Sequence, residues 1–320
     1  MKKLFFFLVI SLGTLSIVLG NERYRDVIAD SVITETYSYA KKNNQQLDLD
    51  IYLPAGDQET SRPVFLYVHG GGFSGGARDE AGVVEFCKKV ARRGYVAVSI
   101  SYRLTRKGTA SGFGCDCSAE EKLATFAAAV EDLHDATSFL IEHQEKFSID
   151  PRQMILAGSS AGAETVLDGV YDQPYLSAAG IKPYAGVVSM AGAIPDTARV
   201  TEETAIPSLF FHGTCDNLVP YGKASHRYCK PDQPGYLILN GGQVIAEKLR
   251  LLGKPYWLHT TCGGNHSLAG SPMELYFEEI MEFCREFVLN GKRDQIHTII
   301  DGEHQCDYPE YNFCPENDNL

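Results

Sequence analysis

The chain has 320 residues, 44% of them hydrophobic, so it can bury a sizeable core; length alone leaves one large domain competing with two ordinary ones. Its 41 acidic residues against 29 basic ones give a formal charge of −12, which leaves little to neutralise phosphates and disfavours nucleic acid as a partner. Nine cysteines suit disulfides if the chain is exported, and the odd number leaves at least one free or paired between molecules.

In chain order, Lys2 and Lys3 precede an apolar run from Leu4 to Ile10 that continues with small residues to Gly20. With Val18 and Gly20 at the −3 and −1 positions of a cleavage site, residues 1–20 read as a secretory signal and the protein as secreted or periplasmic. An uncleaved N-terminal anchor is the alternative, since the run is near the lower length limit for a spanning helix. No other stretch is apolar enough to span a membrane, so no span is expected once the signal is removed.

"VITETYSY" and the alternating "LDLDIYLP", Leu47 to Pro54, predict an antiparallel edge. Short, nearly continuous apolar runs follow: "PVFLYVH", "YVAVSI", "QMILAG", "AGVVSMAG", "SLFFHG" and "PYWLHT". Strands apolar on both faces belong in a parallel sheet covered on both sides. Helical patterns lie between them, over Val83 to Arg93, Ala119 to Phe147, a segment after Ser160, Gly241 to Leu252, and Met273 to Leu289. The alternation predicts one doubly wound α/β domain over residues 21–294, with a mostly parallel central sheet and helices on both faces. Residues 295–320 are expected to form a cysteine-containing tail, either a disulfide-tied cover or an exposed end.

Two copies of G-x-S-x-G occur, one around Ser74 and one around Ser160. A nucleophile elbow needs a strand, a tight turn and a helix, with glycines where any Cβ would clash. "QMILAGSSAGAETVLDGV" has that order and points to Ser160; Ser159 lacks the glycine two residues before it. "FLYVHGGGFSGGAR" has a strand and then glycine-rich loop, the place of an HGGG-type oxyanion loop, where unobstructed backbone N–H groups stabilise developing negative charge. His69 beside these glycines is expected to hold the loop in shape.

The nucleophile needs a base and the base an orienting acid, in the chain order serine, acid, histidine. Asp216 follows "SLFFHG" and His266 follows "PYWLHT", both at carboxyl ends of sheet strands, where ligands gather in open parallel sheets. Asp196 is the alternative acid and His304 the rival base, whereas His212 and His259 lie in strand patterns and should be packed. Cys87 and Cys284, in helical patterns, are the expected free thiols. Cys115, Cys117, Cys215, Cys229, Cys262, Cys306 and Cys314 are the disulfide candidates. No C-x-x-C occurs, and neither a metal nor an organic cofactor is expected.

On these residues, from about Val64 to about Phe287, the chain resembles the α/β-hydrolase superfamily, specifically its secreted esterase and lipase-like group with HGGGF before GxSAG. "SYRL" is similar to the family's YRL segment, "AAVEDLHDATSFL" to a family helix that carries an aspartate, here Asp132, and "HGTCDNLVP" to its acid loop. The resemblance implies Ser160, Asp216 and His266 as a catalytic triad and the amides of Gly71, Gly72 and Ala161 as the oxyanion hole. Ser159 and Ala163 depart from the commoner GDSAGG, and Thr105 and Arg106 from Ala-Pro, while a loop with "GFGCDC" is expected to overhang the site.

The expected activity is hydrolysis of carboxylic esters through an acyl-enzyme. Its substrates would be small or polysaccharide-linked esters such as the acetyl and feruloyl esters that members of the group cleave. A serine peptidase of the same fold would need a peptide-selecting domain that this chain lacks room for. A non-catalytic binding protein keeping the fold would generally lose the nucleophile or the base. Nothing in the sequence sets the oligomeric state.

Overall fold

The structure is a computed structural model that describes residues 22–171, 175, 177, 180–302 and 314. The signal segment, His304 and Cys306 lie outside the described residues. The elements in order are β1 (Val32–Lys42), β2 (Gln45–Pro54), β3 (Arg62–Val68), α1 (Ala81–Ala91), β4 (Val96–Ile100), α2 (Ala119–Glu142) and α3 (Gln144–Phe147). There follow β5 (Ile149–Ser159), α4 (Ala161–Tyr171), β6 (Tyr184–Met190), β7 (Ala193–Ile194), β8 (Ser208–Gly213), β9 (Lys223–Ser225), β10 (Ile238–Gly241) and α5 (Gly242–Leu251). The chain continues through β11 (Tyr256–Cys262), α6 (Pro272–Leu275) and α7 (Phe277–Phe283) to β12 (Gln295–Asp301).

Nine strands form one sheet in the order β1-β2-β4-β3-β5-β6-β8-β11-β12. From β4 to β12 every pairing is parallel, while β1 and β2 add the antiparallel edge. The continuous apolar runs are explained by what covers each face. On β3, Val64, Leu66 and Val68 belong to the core that also holds Phe126 and Leu133 of α2, Val166 of α4 and Ile245 of α5. The intervening Phe65 and Tyr67 belong to the opposite core, with Phe86 and Val90 of α1 and Ile280 and Phe283 of α7. Alternate side chains of one strand thus enter two different cores, which is the α/β-hydrolase architecture. No helix among the described residues is long and apolar enough to cross a membrane.

Two details correct the sequence expectations. Gln295 does not begin a tail apart from the sheet: residues 295–301 are β12, paired in parallel with β11 from Tyr256↔Gln295 to Cys262↔Asp301. Exposed and half-buried residues alternate along β12, so as an edge strand it lacks the apolar run that marks the interior strands. Cys117, grouped with the disulfide candidates, is instead a buried free thiol, alongside Cys87 and Cys284. Cys115 is bonded to Cys229 and Cys262 to Cys314, and Cys215 is also disulfide-bonded. A small sheet in the order β7-β10-β9, which no sequence pattern announced, lies between β6 and α5 in the chain.

Candidate active site

Ser160 stands between the end of β5 and the start of α4 with φ of 50°, a backbone region uncommon for residues other than glycine. Its neighbours two residues away make the turn possible. A Cβ on Gly158 would run into the Gly162 carbonyl, and one on Gly162 into the Val68 carbonyl at the end of β3. The Ser160 amide donates to Met190 O at 2.9 Å, and its carbonyl accepts from the Glu164 amide at 2.9 Å, which ties the turn to β6 and the helix. Ala161 opens α4, so its N–H belongs to the first turn, whose amides have no intrahelical acceptor.

Ser160 Oγ lies 2.8 Å from His266 Nε2, and His266 Nδ1 lies 2.7 Å from Asp216 Oδ2. With Asp216 ionised, Nδ1–H donates to it and leaves Nε2 to accept the serine proton. The fully buried Asp216 is saturated with donors: its Oδ1 accepts from the amides of Leu218 at 2.9 Å and Val219 at 3.0 Å. Burial raises its pKa, but the hydrogen bonds from His212 and His266 outweigh that and hold the carboxyl well below the usual range. Sequence reasoning placed His212 as packed; it is buried and stands 3.4 Å from Asp216 Oδ2 as well. The signal was the four-residue spacing in "HGTCD".

The loops carrying acid and base are joined to each other. Cys215 N donates to Gly264 O at 2.8 Å, Thr214 N to Thr261 O at 3.1 Å, and Gly263 N to Thr214 Oγ1 at 2.8 Å. A Cβ on Gly213 would strike the Gly264 carbonyl, so this close approach requires the glycine of "SLFFHG". Asn265 caps the turn that begins at His266 by accepting from Ser267 N at 2.9 Å.

Across the site, Gly71 at φ 115° and Gly72 at φ 59° form the glycine turn after β3. Both line, with Ser160 and His266, a pocket of about 460 Å³. His69 is buried, donates through Nδ1 to Gly70 O at 2.7 Å and stacks on Tyr102, whose hydroxyl donates to His69 O at 3.0 Å. Burial lowers the His69 pKa, which favours the neutral form of the ring that supports this loop. Arg103, the next residue of "SYRL", clasps the buried Asp132 of α2 through its amide at 2.7 Å and Nε at 2.8 Å. The two motif residues therefore fix the glycine loop and the helix behind it.

The competing residues fall away from this constellation. Ser74 Oγ donates to Gly71 O at 3.2 Å in the glycine loop, and Ser159 Oγ donates to Ala269 O. Asp196 accepts from Ala198 N at 2.8 Å on the exposed surface, and His259 is packed between the rings of Phe211 and Tyr276. Phe113 and Gly114 of the "GFGCDC" loop line the pocket, as an overhanging loop would. Arg227, which no motif singled out, lines it as well.

Residues 49–173 match the family model described as BD-FAE. "Gut esterase 1" of Caenorhabditis elegans is 34% identical over 104 residues, which are 32% of this chain and 17% of that protein. "Esterase B1" of Culex pipiens is 32% identical over 121 residues, 38% of this chain and 21% of that one. The chain thus matches about a fifth of the length of these curated relatives. Among solved structures, esterase 2 of Thermogutta terrifontis, phosphoramylated by tabun, superposes with a TM-score of 0.58 at 20% identity, covering 80% of this chain and 94% of that one. The chain thus shares the α/β-hydrolase fold and, over residues 49–173, is similar to esterases.

Proposed function

We propose that the protein is an exported serine esterase that hydrolyses carboxylic esters through an acyl-enzyme, acting on short-chain or carbohydrate-linked esters such as acetyl and feruloyl groups. The observation that carries the reading is the unbroken hydrogen-bonded line from Ser160 through His266 to Asp216, open to a pocket beside Gly71 and Gly72. Ser160 Oγ attacks the ester carbonyl as His266 Nε2 takes its proton, and Asp216 stabilises the imidazolium that results. The carbonyl oxygen, now an oxyanion, is received by the amides of Gly71, Gly72 and Ala161. His266 returns the proton to the departing alcohol; water, deprotonated by the same ring, then attacks the acyl-enzyme and releases the acid with Ser160 restored. The chemistry calls on no metal or organic cofactor. A pocket of about 460 Å³ suits an acyl group of modest size.

The test is hydrolysis of p-nitrophenyl esters of increasing acyl length and of methyl ferulate by protein starting at Asn21, beside Ser160→Ala. Turnover by the parent with a loss of several orders of magnitude in the variant is the expected result. Labelling of Ser160 by a fluorophosphonate with no ester hydrolysed would keep the nucleophile and reject the substrate class. Absence of both labelling and hydrolysis would reject the enzyme reading in favour of a binding protein.

A further inference from the structure

The pocket contains a permanent cation that ester hydrolysis itself does not require. Arg227 lines it from the turn after β9, with φ of 56° and ψ of 22°. The turn is pinned on several sides: the Arg227 amide donates to Leu218 O at 3.1 Å and the His226 amide to Leu237 O at 2.8 Å. Two residues on, Cys229 is bonded to Cys115 of the loop that brings Phe113 into the pocket. The guanidinium is therefore presented by a fixed frame. Its Nη2 reaches the glycine loop, 3.8 Å from where a Cβ on Gly72 would sit.

Other arginines that are not exposed meet carboxylates, as expected of a chain with 41 acidic and 29 basic residues: Arg62 pairs with Asp57, Arg78 with Asp50 and Arg103 with Asp132. Among the described residues, none forms a hydrogen bond or ion pair with the Arg227 guanidinium, and its Nε is buried without a partner. Glu164 on α4 lies within its field without a hydrogen bond or ion pair to it, and burial and the neighbouring Asp168 raise that carboxyl's pKa well above its ordinary value, which weakens it as a counter-ion. A half-buried guanidinium with open donors beside an electrophile site is matched by a planar anion that accepts two parallel N–H bonds.

We infer that Arg227 sets the substrate class of the pocket by receiving a carboxylate carried on the ester, one short spacer away from the scissile carbonyl. The inference deepens the esterase reading and rests on it. The carboxylate can belong to the acyl part, as in the half-ester of a dicarboxylic acid, or to the alcohol part, as in an acylated hydroxy acid; in both, the anion occupies the same guanidinium while Ser160 attacks the ester.

Two matched pairs test this and separate the sources: mono-p-nitrophenyl glutarate against p-nitrophenyl pentanoate, and 4-acetoxybenzoate against its methyl ester. The parent protein should favour the anionic member of at least one pair in kcat/KM, chiefly through KM, and the preference should shrink with added salt. Arg227→Gln should cut that preference by about tenfold or more, and Arg227→Lys, which keeps the charge but not the planar fork, should restore part of it. A preference in the glutarate pair alone places the carboxylate on the acyl side, and one in the other pair alone places it on the alcohol side. No preference in either pair, or an equal fall on both members of a pair in Arg227→Gln, overturns the inference. Calorimetric binding of monomethyl glutarate and of 4-acetoxybenzoate to Ser160→Ala, with and without Arg227→Gln, reads the site without turnover. Binding of either that depends on Arg227 in a protein that hydrolyses nothing would reject the esterase reading and keep the anion site. Binding of both that ignores Arg227 would reject the anion site alone.

Discussion

Ser160 occupies a backbone conformation that costs about 1–3 kcal/mol in ordinary surroundings and persists only where neighbours over-determine it. Gly162 is the neighbour with least room, because its missing Cβ faces the Val68 carbonyl at the strand end from which the glycine loop departs. Gly162→Ala should therefore displace the elbow and that loop together, destabilising by about 1–3 kcal/mol or more and lowering fluorophosphonate labelling of Ser160 by at least about a hundredfold. Gly82→Ala is the matched control: nothing lies within 4 Å of its Cβ position in the first turn of α1, so a small gain of up to about 1 kcal/mol in urea melts is expected. The same steric rule made Ser160 legible in the sequence, since only one G-x-S-x-G joins a strand directly to a helix, the other running into glycine-rich loop. Arg227 obeyed no such rule. Which way its side chain points depends on a left-handed turn and a distant disulfide, and neither leaves a local pattern.

At the scale of elements, strands buried on both faces announced themselves through continuous apolar runs, and the edge strand β12 did not because only alternate residues are partly covered. Trp257 Nε1 nevertheless donates to Thr298 Oγ1 at 2.9 Å, so the segment is fixed to β11 by side chain as well as by backbone. The cysteines of "GFGCDC" were equivalent in the sequence, being two residues apart in one loop. The chain direction separates them: Ser118 caps α2 in a reciprocal capping box with Glu121, and Cys117, just before it, is buried in the field of Lys122 while Cys115 reaches Cys229. The Cys115–Cys229 bond closes a separation of 114 residues, so the double variant Cys115→Ser/Cys229→Ser should lose about 2–5 kcal/mol in urea unfolding. Because the bond also ties the Phe113 wall to the Arg227 wall, the same variant should narrow the spread in kcat/KM across the acyl-length series; an unchanged spread would show that the walls are held by packing alone.

Taken whole, the molecule buries several neutral imidazoles, and this gives its stability a direction with pH. Burial lowers the pKa of His259 to about 4 and also lowers those of His69, His134 and His226. Between about 6.5, where an unfolded imidazole takes its proton, and about 4, where folded His259 does, the unfolded chain binds more protons. Stability should therefore be complete above the unfolded value and fall as the pH drops through this window, with His259 contributing about 1–2 kcal/mol after allowance for solvent screening. Urea midpoints at several pH values, with His259→Phe filling the space between Phe211 and Tyr276, should show a shallower acid slope in the variant. Two-faced strands alternating with helices made the doubly wound plan readable from the sequence, whereas the pairing of remote loops around the pocket arises only when the sheet brings strand ends together. One of those pairings bears on how the protein meets its substrate. Two pocket-lining loops joined covalently behind their lining residues cannot swing apart as separate flaps, so the cavity should not need to open before an ester enters it. Its rate should then rise smoothly with dissolved ester and show no jump where an ester begins to form droplets.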